Sequence, residues 1–254
     1  FRTVLLQGMI ELENVSKHYG NAYAVEKVSL AIRAEETTVL IGPSGSGKST
    51  LLRLMIGLIS PDEGHVMVGE RELQTDDPQQ LRHRMGYVIQ EGGLFPHLTG
   101  RANITLLARH LGWSDDRINT RLHELTRLVQ LDANHLQQYP SELSGGQRQR
   151  VSLMRALMLN PDVLLLDEPL GALDPMIRTD LQEDLRIIFE RLDKTVVFVT
   201  HNIEEAAFFG DQTVVLREGQ IEQSGKMNAL LNEPASPFVS NFIQAQRSPL
   251  EHLS

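Results

Sequence analysis

Thr37-Thr38-Val39-Leu40-Ile41-Gly42-Pro43-Ser44-Gly45-Ser46-Gly47-Lys48-Ser49-Thr50 is the stretch from which the fold of this chain is read. The β-branched run over 37–41 fits a buried strand that Gly42-Pro43 ends. From Lys48, the apolar residues Leu51, Leu52, Met55, Ile56 and Ile59 recur at helical spacing until Ser60-Pro61, which predicts a helix over 48–59. Between strand and helix, Gly42 to Ser49 matches G-x-x-x-x-G-K-[ST]. The glycines let backbone N–H groups turn inward as an anion nest, and the helix presents its positive end to the same place. Lys48 suits the β- and γ-phosphates of a nucleotide, and the Ser49 hydroxyl suits Mg²⁺. A flexible Gly/Ser loop would share this composition, but not the strand before it and the helix after it. Gly42, Pro43, Ser44, Gly45, Ser46, Gly47, Lys48, Ser49 and Thr50 are therefore the expected phosphate-side contacts.

Working outward, Ile10 and Leu12 alternate with Glu11 and Glu13, and Val25, Val28, Leu30 and Ile32 recur among polar neighbours, so Met9–Arg33 reads as strands. Val163–Leu166 and Val196–Val199 are short, continuous apolar runs separated by a helix expected over 176–192. Such runs alternating with helices imply a parallel sheet covered on both faces. Between about Leu98 and Asn160 the pattern turns helical, with Ile118, Leu122, Leu125 and Val129 on one amphipathic face and Val151, Met154, Leu157 and Met158 on another. Arg217-Glu218-Gly219-Gln220 reads as a hairpin turn. The tail beyond Lys226 reads as helix interrupted by Pro234 and Pro237, fraying after Arg247. Phe1–Gly8 precede the first methionine, Met9, and read as an appended remnant outside the fold.

The chain has 254 residues, 41% of them hydrophobic and 22% charged, enough for one large α/β domain or a core with a smaller subdomain. It contains no cysteine, which excludes disulfides, thiolate metal sites and a cysteine nucleophile. A formal net charge of -9 makes nucleic acid an unexpected partner. No apolar run approaches the length of a membrane span, so a membrane role would pass through a partner.

Val163-Leu164-Leu165-Leu166-Asp167-Glu168 is an apolar strand ending in two carboxylates. Successive strand residues face opposite sides, so the two acids need not share a task. Asp167 suits a Mg²⁺ shell, and Glu168 suits a general base for an attacking water. Alone, Asp-Glu-Pro is also ordinary turn chemistry; downstream of a phosphate loop the metal and base readings gain weight. Leu143-Ser144-Gly145-Gly146-Gln147 precedes a helix that Ser144 would cap, with Gly145 and Gly146 leaving N–H groups for an anion, although a plain helix start has the same composition.

The phosphate loop, Gln90, the Leu143–Gln147 stretch, Asp167-Glu168, the loop Gly171-Ala172-Leu173-Asp174 and His201 follow one another in the order found in ATP-binding subunits of ABC transporters. The chain resembles that family from Met9 to about Gly225. The resemblance implies an α/β fold: a P-loop NTPase (RecA-like) core with an N-terminal antiparallel β-subdomain and an inserted α-helical subdomain at about 98–160. Residues 9–225 would be the ATPase domain and 226–254 a C-terminal helical extension. ATP and Mg²⁺ would be the cofactors, and two copies would sandwich two ATP molecules head to tail. Ser144, Gly145, Gly146 and Gln147 of one copy would then meet the phosphates held by Lys48 of the other. Gln90 would sense Mg²⁺ and the water, and so counts both as a catalytic and as a metal-side residue with Ser49 and Asp167. His201 would contact the γ-phosphate, Asp174 would couple the two sites, and Tyr19 would stack on adenine. Each residue also has a plainer reading: a surface glutamine, a satisfied polar histidine, a packing tyrosine.

The stretch Tyr87-Val88-Ile89-Gln90-Glu91-Gly92-Gly93-Leu94-Phe95-Pro96-His97-Leu98-Thr99, with Leu111-Gly112-Trp113 and Glu168–Pro175, is similar to the ATPases of bacterial quaternary-amine importers. That subgroup takes up osmoprotectants such as glycine betaine, choline and carnitine. The resemblance implies integral-membrane permease partners contacted at Leu94, Phe95 and Leu98, indirectly an extracytoplasmic solute-binding protein, and a peripheral place on the cytoplasmic face of the inner membrane. Packing within the helical subdomain is the other reading of those three residues. The chain departs from the subgroup at Leu170, where Phe is frequent, at Asn202, where Asp commonly follows the histidine, and at Phe208-Phe209. It also ends at Ser254, without room for the paired CBS domains many members carry. Other cargoes (methionine, amino acids, lipids) stay open, as does a non-transport ABC ATPase; a P-loop kinase would leave Leu143–Gln147 and His201 unexplained.

Overall fold

The computed structural model of the chain describes residues 9–74, 78–171 and 173–246. In chain order its strands are β1 (Ile10–Tyr19), β2 (Ala22–Ile32), β3 (Thr37–Ile41), β4 (Glu63–Val68), β5 (Arg71–Glu72), β6 (Met85–Val88), β7 (Val163–Asp167), β8 (Thr195–Val199), β9 (Gln212–Arg217) and β10 (Gln220–Gly225). Its helices are α1 (Lys48–Met55), α2 (Pro78–His83), α3 (Gly100–His110), α4 (Asp115–Leu128), α5 (Gly145–Leu157), α6 (Pro175–Leu192), α7 (Ile203–Phe209), α8 (Met227–Asn232) and α9 (Pro237–Gln246). The chain divides into two compact units, one formed by the chain up to Leu81 with the chain from Thr195 onward, the other by Arg82–Lys194.

In the first unit, β2, β1, β4 and β5 form an antiparallel sheet in that order. Its register sets Ile10 opposite Ile32 and Val68, and Leu12 opposite Leu30 and Val66, so the apolar alternation of β1 and its partners falls on one buried face. In the second sheet of this unit, β3 runs parallel to β8 on one side and β9 on the other, and β10 returns antiparallel to β9. Every residue of β3 and β8 is buried, Thr37, Thr38 and Thr195 included, as expected of parallel strands covered on both faces. The β9–β10 turn uses Glu218 and Gly219, both with positive φ, which is the hairpin expected at those residues.

Helix α1 ends at Met55, four residues short of the expected Ile59. The cause is Gly57, at φ 70. Its N–H donates to Leu54 O (3.0 Å) and the N–H of Leu58 donates to Arg53 O (2.9 Å), the paired bonds of a left-handed helix stop. The apolar spacing runs on to Ile59, but the glycine stops the helix. At the other end of the unit, α8 and α9 flank the expected break, with Pro237 opening α9. The fraying expected after Arg247 and the reading of Phe1–Gly8 lie outside the described residues.

In the second unit, β6 and β7 pair in parallel, with Val88 opposite Leu166, and α5 packs on β6. Side-chain caps start its helices: Thr99 accepts from the N–H of Ala102, Ser114 from Arg117 and Asp174 from Met176. Ile118, Leu122, Leu125 and Val129 are buried along α4, and Val151, Met154, Leu157 and Met158 along and just beyond α5. Among the described residues, no helix is long and apolar enough to cross a membrane.

Candidate functional site

In the first unit, the phosphate loop leaves the buried strand β3 and enters α1 at Gly47, which makes no side-chain cap hydrogen bond. Gly42 and Gly47 are required by close approach. A Cβ on Gly42 would lie 2.2 Å from the Leu216 carbonyl oxygen, and one on Gly47, at φ 100, 2.4 Å from the Ala24 carbonyl oxygen. Lys48 is only 5% exposed, and its ammonium donates to the carbonyls of Gly42 (2.9 Å) and Pro43 (2.8 Å) and contacts Ser46 Oγ at 3.4 Å. The loop is therefore wound around its own cation. The hairpin turn between β9 and β10 braces it, since the N–H of Gly219 donates to Ser46 O at 3.2 Å.

The same unit brings two further expected residues to this end of the sheet. Leu40 of β3 lies opposite Val199 of β8, so the phosphate loop and the segment carrying His201 leave the C-terminal ends of neighbouring parallel strands. His201 is exposed. Tyr19, 54% exposed, closes β1 opposite Ala22, and its hairpin is the one whose Ala24 carbonyl abuts Gly47. The sequence did not single out Asp62, which holds this hairpin. Its carboxylate takes Lys17 Nζ at 2.8 Å, the His18 N–H at 2.9 Å and His18 Nδ1 at 2.9 Å. The Lys17 hydrogen bond, then that of the His18 N–H, holds the Asp62 carboxyl below its usual range.

The second unit holds the other expected residues. Gln90 is exposed and opens a 3₁₀ turn after β6; Asp167 ends β7 at 4% exposure, with Tyr87 Oη 3.5 Å from its Oδ2. Because β6 and β7 are parallel and in register, Gln90 and the pair Asp167, Glu168 leave at the same end. Glu168 has φ 45, a left-handed conformation that costs a non-glycine residue roughly 1 kcal/mol, and the Gly171 N–H closes the turn on its carbonyl at 3.1 Å. Ser144 and Gln147 cap α5 reciprocally: Gln147 N–H donates to Ser144 Oγ (3.3 Å) and Ser144 N–H to Gln147 Oε1 (2.8 Å). Ser144 is exposed, whereas Gly146 is buried so close to α6 that a Cβ would lie 2.9 Å from Ile177 Cγ2. Asp174 caps α6; Ala172 of the same loop lies outside the described residues.

The turn after Gln90 is built by residues that no motif marked. Asn103, fully buried on α3, accepts from the Phe95 N–H (2.8 Å) and donates toward the carbonyls of Phe95, Leu98 and Thr99 (3.0–3.1 Å). On α5, Ser152 Oγ donates to Gly92 O at 2.7 Å, while Arg155 donates to Gly92 O at 2.9 Å and Gly93 O at 2.8 Å. Burial lowers the Arg155 pKa from its ordinary value. Together they present Phe95 at 44% exposure, while Leu94 and Leu98 are half-buried.

These residues suit a nucleoside triphosphate with a hard divalent cation. In the first unit, the start of α1 and the Lys48 ammonium suit an anion, and the Ser49 hydroxyl is an oxygen donor of the kind Mg²⁺ takes; in the second unit, the Gln90 amide and the Asp167 carboxylate carry donors of the same kind. Among the described residues, no group of three or more His, Cys, Asp or Glu side chains forms a self-sufficient metal cage.

The family model described as ABC transporter matches residues 25–171. The glycine betaine/carnitine/choline transport ATP-binding protein OpuCA of Bacillus subtilis strain 168 is 43% identical over 240 residues, covering 94% of this chain and 63% of that protein. The sulfate/thiosulfate import ATP-binding protein CysA of Thermosynechococcus vestitus is 47% identical over 234 residues, covering 92% of this chain and 69% of that protein. This chain thus spans less than two thirds of the length of several relatives, including the B. subtilis protein. Among solved structures, the dimeric structure of MJ0796, a bacterial ABC transporter cassette, superposes with a TM-score of 0.79 at 36% identity, covering 86% of this chain and 99% of that one. A dimeric post-hydrolysis state of the same cassette bound to ADP and Pi gives 0.78 at 34% identity.

Proposed function

The chain belongs to the ABC transporter family, and on that premise we propose that it is the ATP-hydrolysing subunit of a membrane importer. The observation that carries the reading is the buried Lys48 ammonium, held by the carbonyls of its own loop at the N-terminus of α1. Lys48 and the loop N–H groups from Gly42 to Thr50 bind the phosphates, Tyr19 stacks on the base, and Ser49, Gln90 and Asp167 supply oxygen donors to Mg²⁺. When bound, Mg²⁺ would supply positive charge that offsets charge on the phosphates. Glu168 accepts the proton of the attacking water, Gln90 positions that water, and His201 donates to the γ-phosphate. Ser144, Gly145, Gly146 and Gln147 complete the pocket from a second copy arranged head to tail, and Asp174 links the two sites. The ATPase domain comprises 9–225, with a helical subdomain at about 98–160.

The proposed cargo is an osmoprotectant of the quaternary-amine class, supported by similarity to proteins whose names specify glycine betaine, carnitine or choline. The permease would dock on Phe95 and its neighbours, a solute-binding protein would deliver cargo to the permease, and the subunit would sit on the cytoplasmic face of the inner membrane. A second reading, sulfate or thiosulfate import, is favoured by the 47% identity to a protein of that name. Uptake decides between them. The chain is copurified with its cognate permease and placed in vesicles with ATP and magnesium inside. ATP-dependent accumulation of labelled glycine betaine or choline, and not sulfate, is expected. Sulfate uptake alone would overturn the cargo, and absence of permease association would overturn the importer.

A further inference from the structure

The segment carrying His201 is held by its own backbone amides. The Thr200 N–H donates to Leu40 O on β3 at 3.1 Å. The Asn202 N–H donates to Thr200 Oγ1 at 3.0 Å, and Thr200 Oγ1 in turn donates to the buried Glu205 carboxylate at 2.5 Å. The Glu204 N–H donates to Asn202 Oδ1 at 2.7 Å, so the asparagine that departs from the family's common aspartate still caps α7. The remaining acceptor comes from far along the chain: the Ile203 N–H donates to Gln246 Oε1 at 3.0 Å, a separation of 43 residues.

Gln246 is the last residue of α9. That helix is anchored by Val239, fully buried, and Ile243, 4% exposed. Phe238 and Phe242 stack at 5.8 Å, and the Arg217 guanidinium lies 4.7 Å from the Phe238 ring centroid, which ties α9 to β9. A helix whose first N–H groups have no intrahelical partner needs outside acceptors. α7 takes one of them from the C-terminal helix, two residues beyond the histidine assigned to the γ-phosphate.

We infer that Gln246 is a positioning residue for His201: α9 acts as a strap that caps α7 and fixes the backbone from which the histidine reaches the nucleotide. The inference rests on the ATPase reading above and extends it to a segment outside the matched family region. Gln246 acts through the backbone that carries the histidine, so its effect belongs in turnover and not in ATP affinity.

The test uses the full chain with ATP and magnesium. Gln246→Ala should lower kcat about fivefold, the factor that loss of one ordinary helix cap corresponds to, with KM for ATP unchanged. Amide hydrogen exchange at Ile203 should quicken by a similar factor. Gln246→Glu keeps an acceptor at a helix N-terminus and should retain both values. In a His201→Ala background, Gln246→Ala should cost nothing further, which a loss of general stability would not reproduce. Unchanged Ile203 exchange in Gln246→Ala would overturn the strap. Faster exchange with kcat intact, or an equal loss in the His201→Ala background, would overturn the positioning role. No hydrolysis by the unaltered chain would instead overturn the ATPase reading itself.

Discussion

Glu168 stands where a buried strand stops and its backbone must turn at φ 45. The conformation is unfavourable for glutamate, and the turn is closed by the Gly171 N–H on its own carbonyl. Strain of this kind persists where surrounding structure enforces it. The neighbouring Asp167 is buried at the end of the strand whereas Glu168 lies past it and is half-buried, so the chain's turn, and not alternation within β7, gives the two acids different surroundings. Glu168→Gln keeps the shape and removes the base. Turnover should fall by roughly a hundredfold to ten-thousandfold while ATP affinity is retained, checked by phosphate release alongside equilibrium nucleotide binding. Turnover near that of the unaltered chain would remove Glu168 from the chemistry. Two departures from the related importers also resolve at this scale. Leu170 is fully buried, and Phe209 is a core side chain stacked on Phe198 at 4.7 Å, so both serve packing.

At the scale of elements, the turn after β6 owes its shape to two helices. α5 grips its start through Ser152 and Arg155, and α3 grips its end through Asn103. An amide this deeply buried is tolerated because its oxygen accepts one N–H and its nitrogen faces three carbonyls. Asn103→Ala would leave several of those backbone groups without partners. The expected cost is about 2–4 kcal/mol, read as a lower urea midpoint with the slope unchanged. A shift under about 0.5 kcal/mol would show that water replaces the amide at no cost. α1 gives the converse lesson: its apolar spacing runs to Ile59, but Gly57 ends it at Met55 through the paired bonds to Leu54 and Arg53.

At the scale of the molecule, the exposed Ser144 at the start of α5 and the phosphate loop at the start of α1 are two helix N-termini, in separate units of one chain. A head-to-tail dimer would bring one of each to a single nucleotide. The chain has no cysteine, so introduced thiols are the only ones present. With Ser44→Cys and Ser144→Cys in a Glu168→Gln background, disulfide-linked dimers should form with ATP and not without nucleotide, read on non-reducing gels. Equal cross-linking in both conditions would count against the sandwich.

How much was legible in the chain follows from how far apart the interacting residues lie. The phosphate loop, the β7 strand end, the α5 start and the β9–β10 turn are runs of neighbours, whose chemistry is set by residue type and spacing. The amino-acid order therefore determined the α/β class, the strands and helices that carry these runs, and the residues expected at the nucleotide. Asp62 on the Tyr19 hairpin, Asn103 and Arg155 around the turn after Gln90, and Gln246 on α7 carry no such signature. Each is an ordinary polar residue until the fold sets it beside a backbone group, 4 to 8 positions away for Asn103 and 43 or more for Asp62, Arg155 and Gln246. Only the tertiary structure decided those pairings, because a buried N–H or carbonyl must find a partner in space, and nothing in local spacing says which side chain will be there.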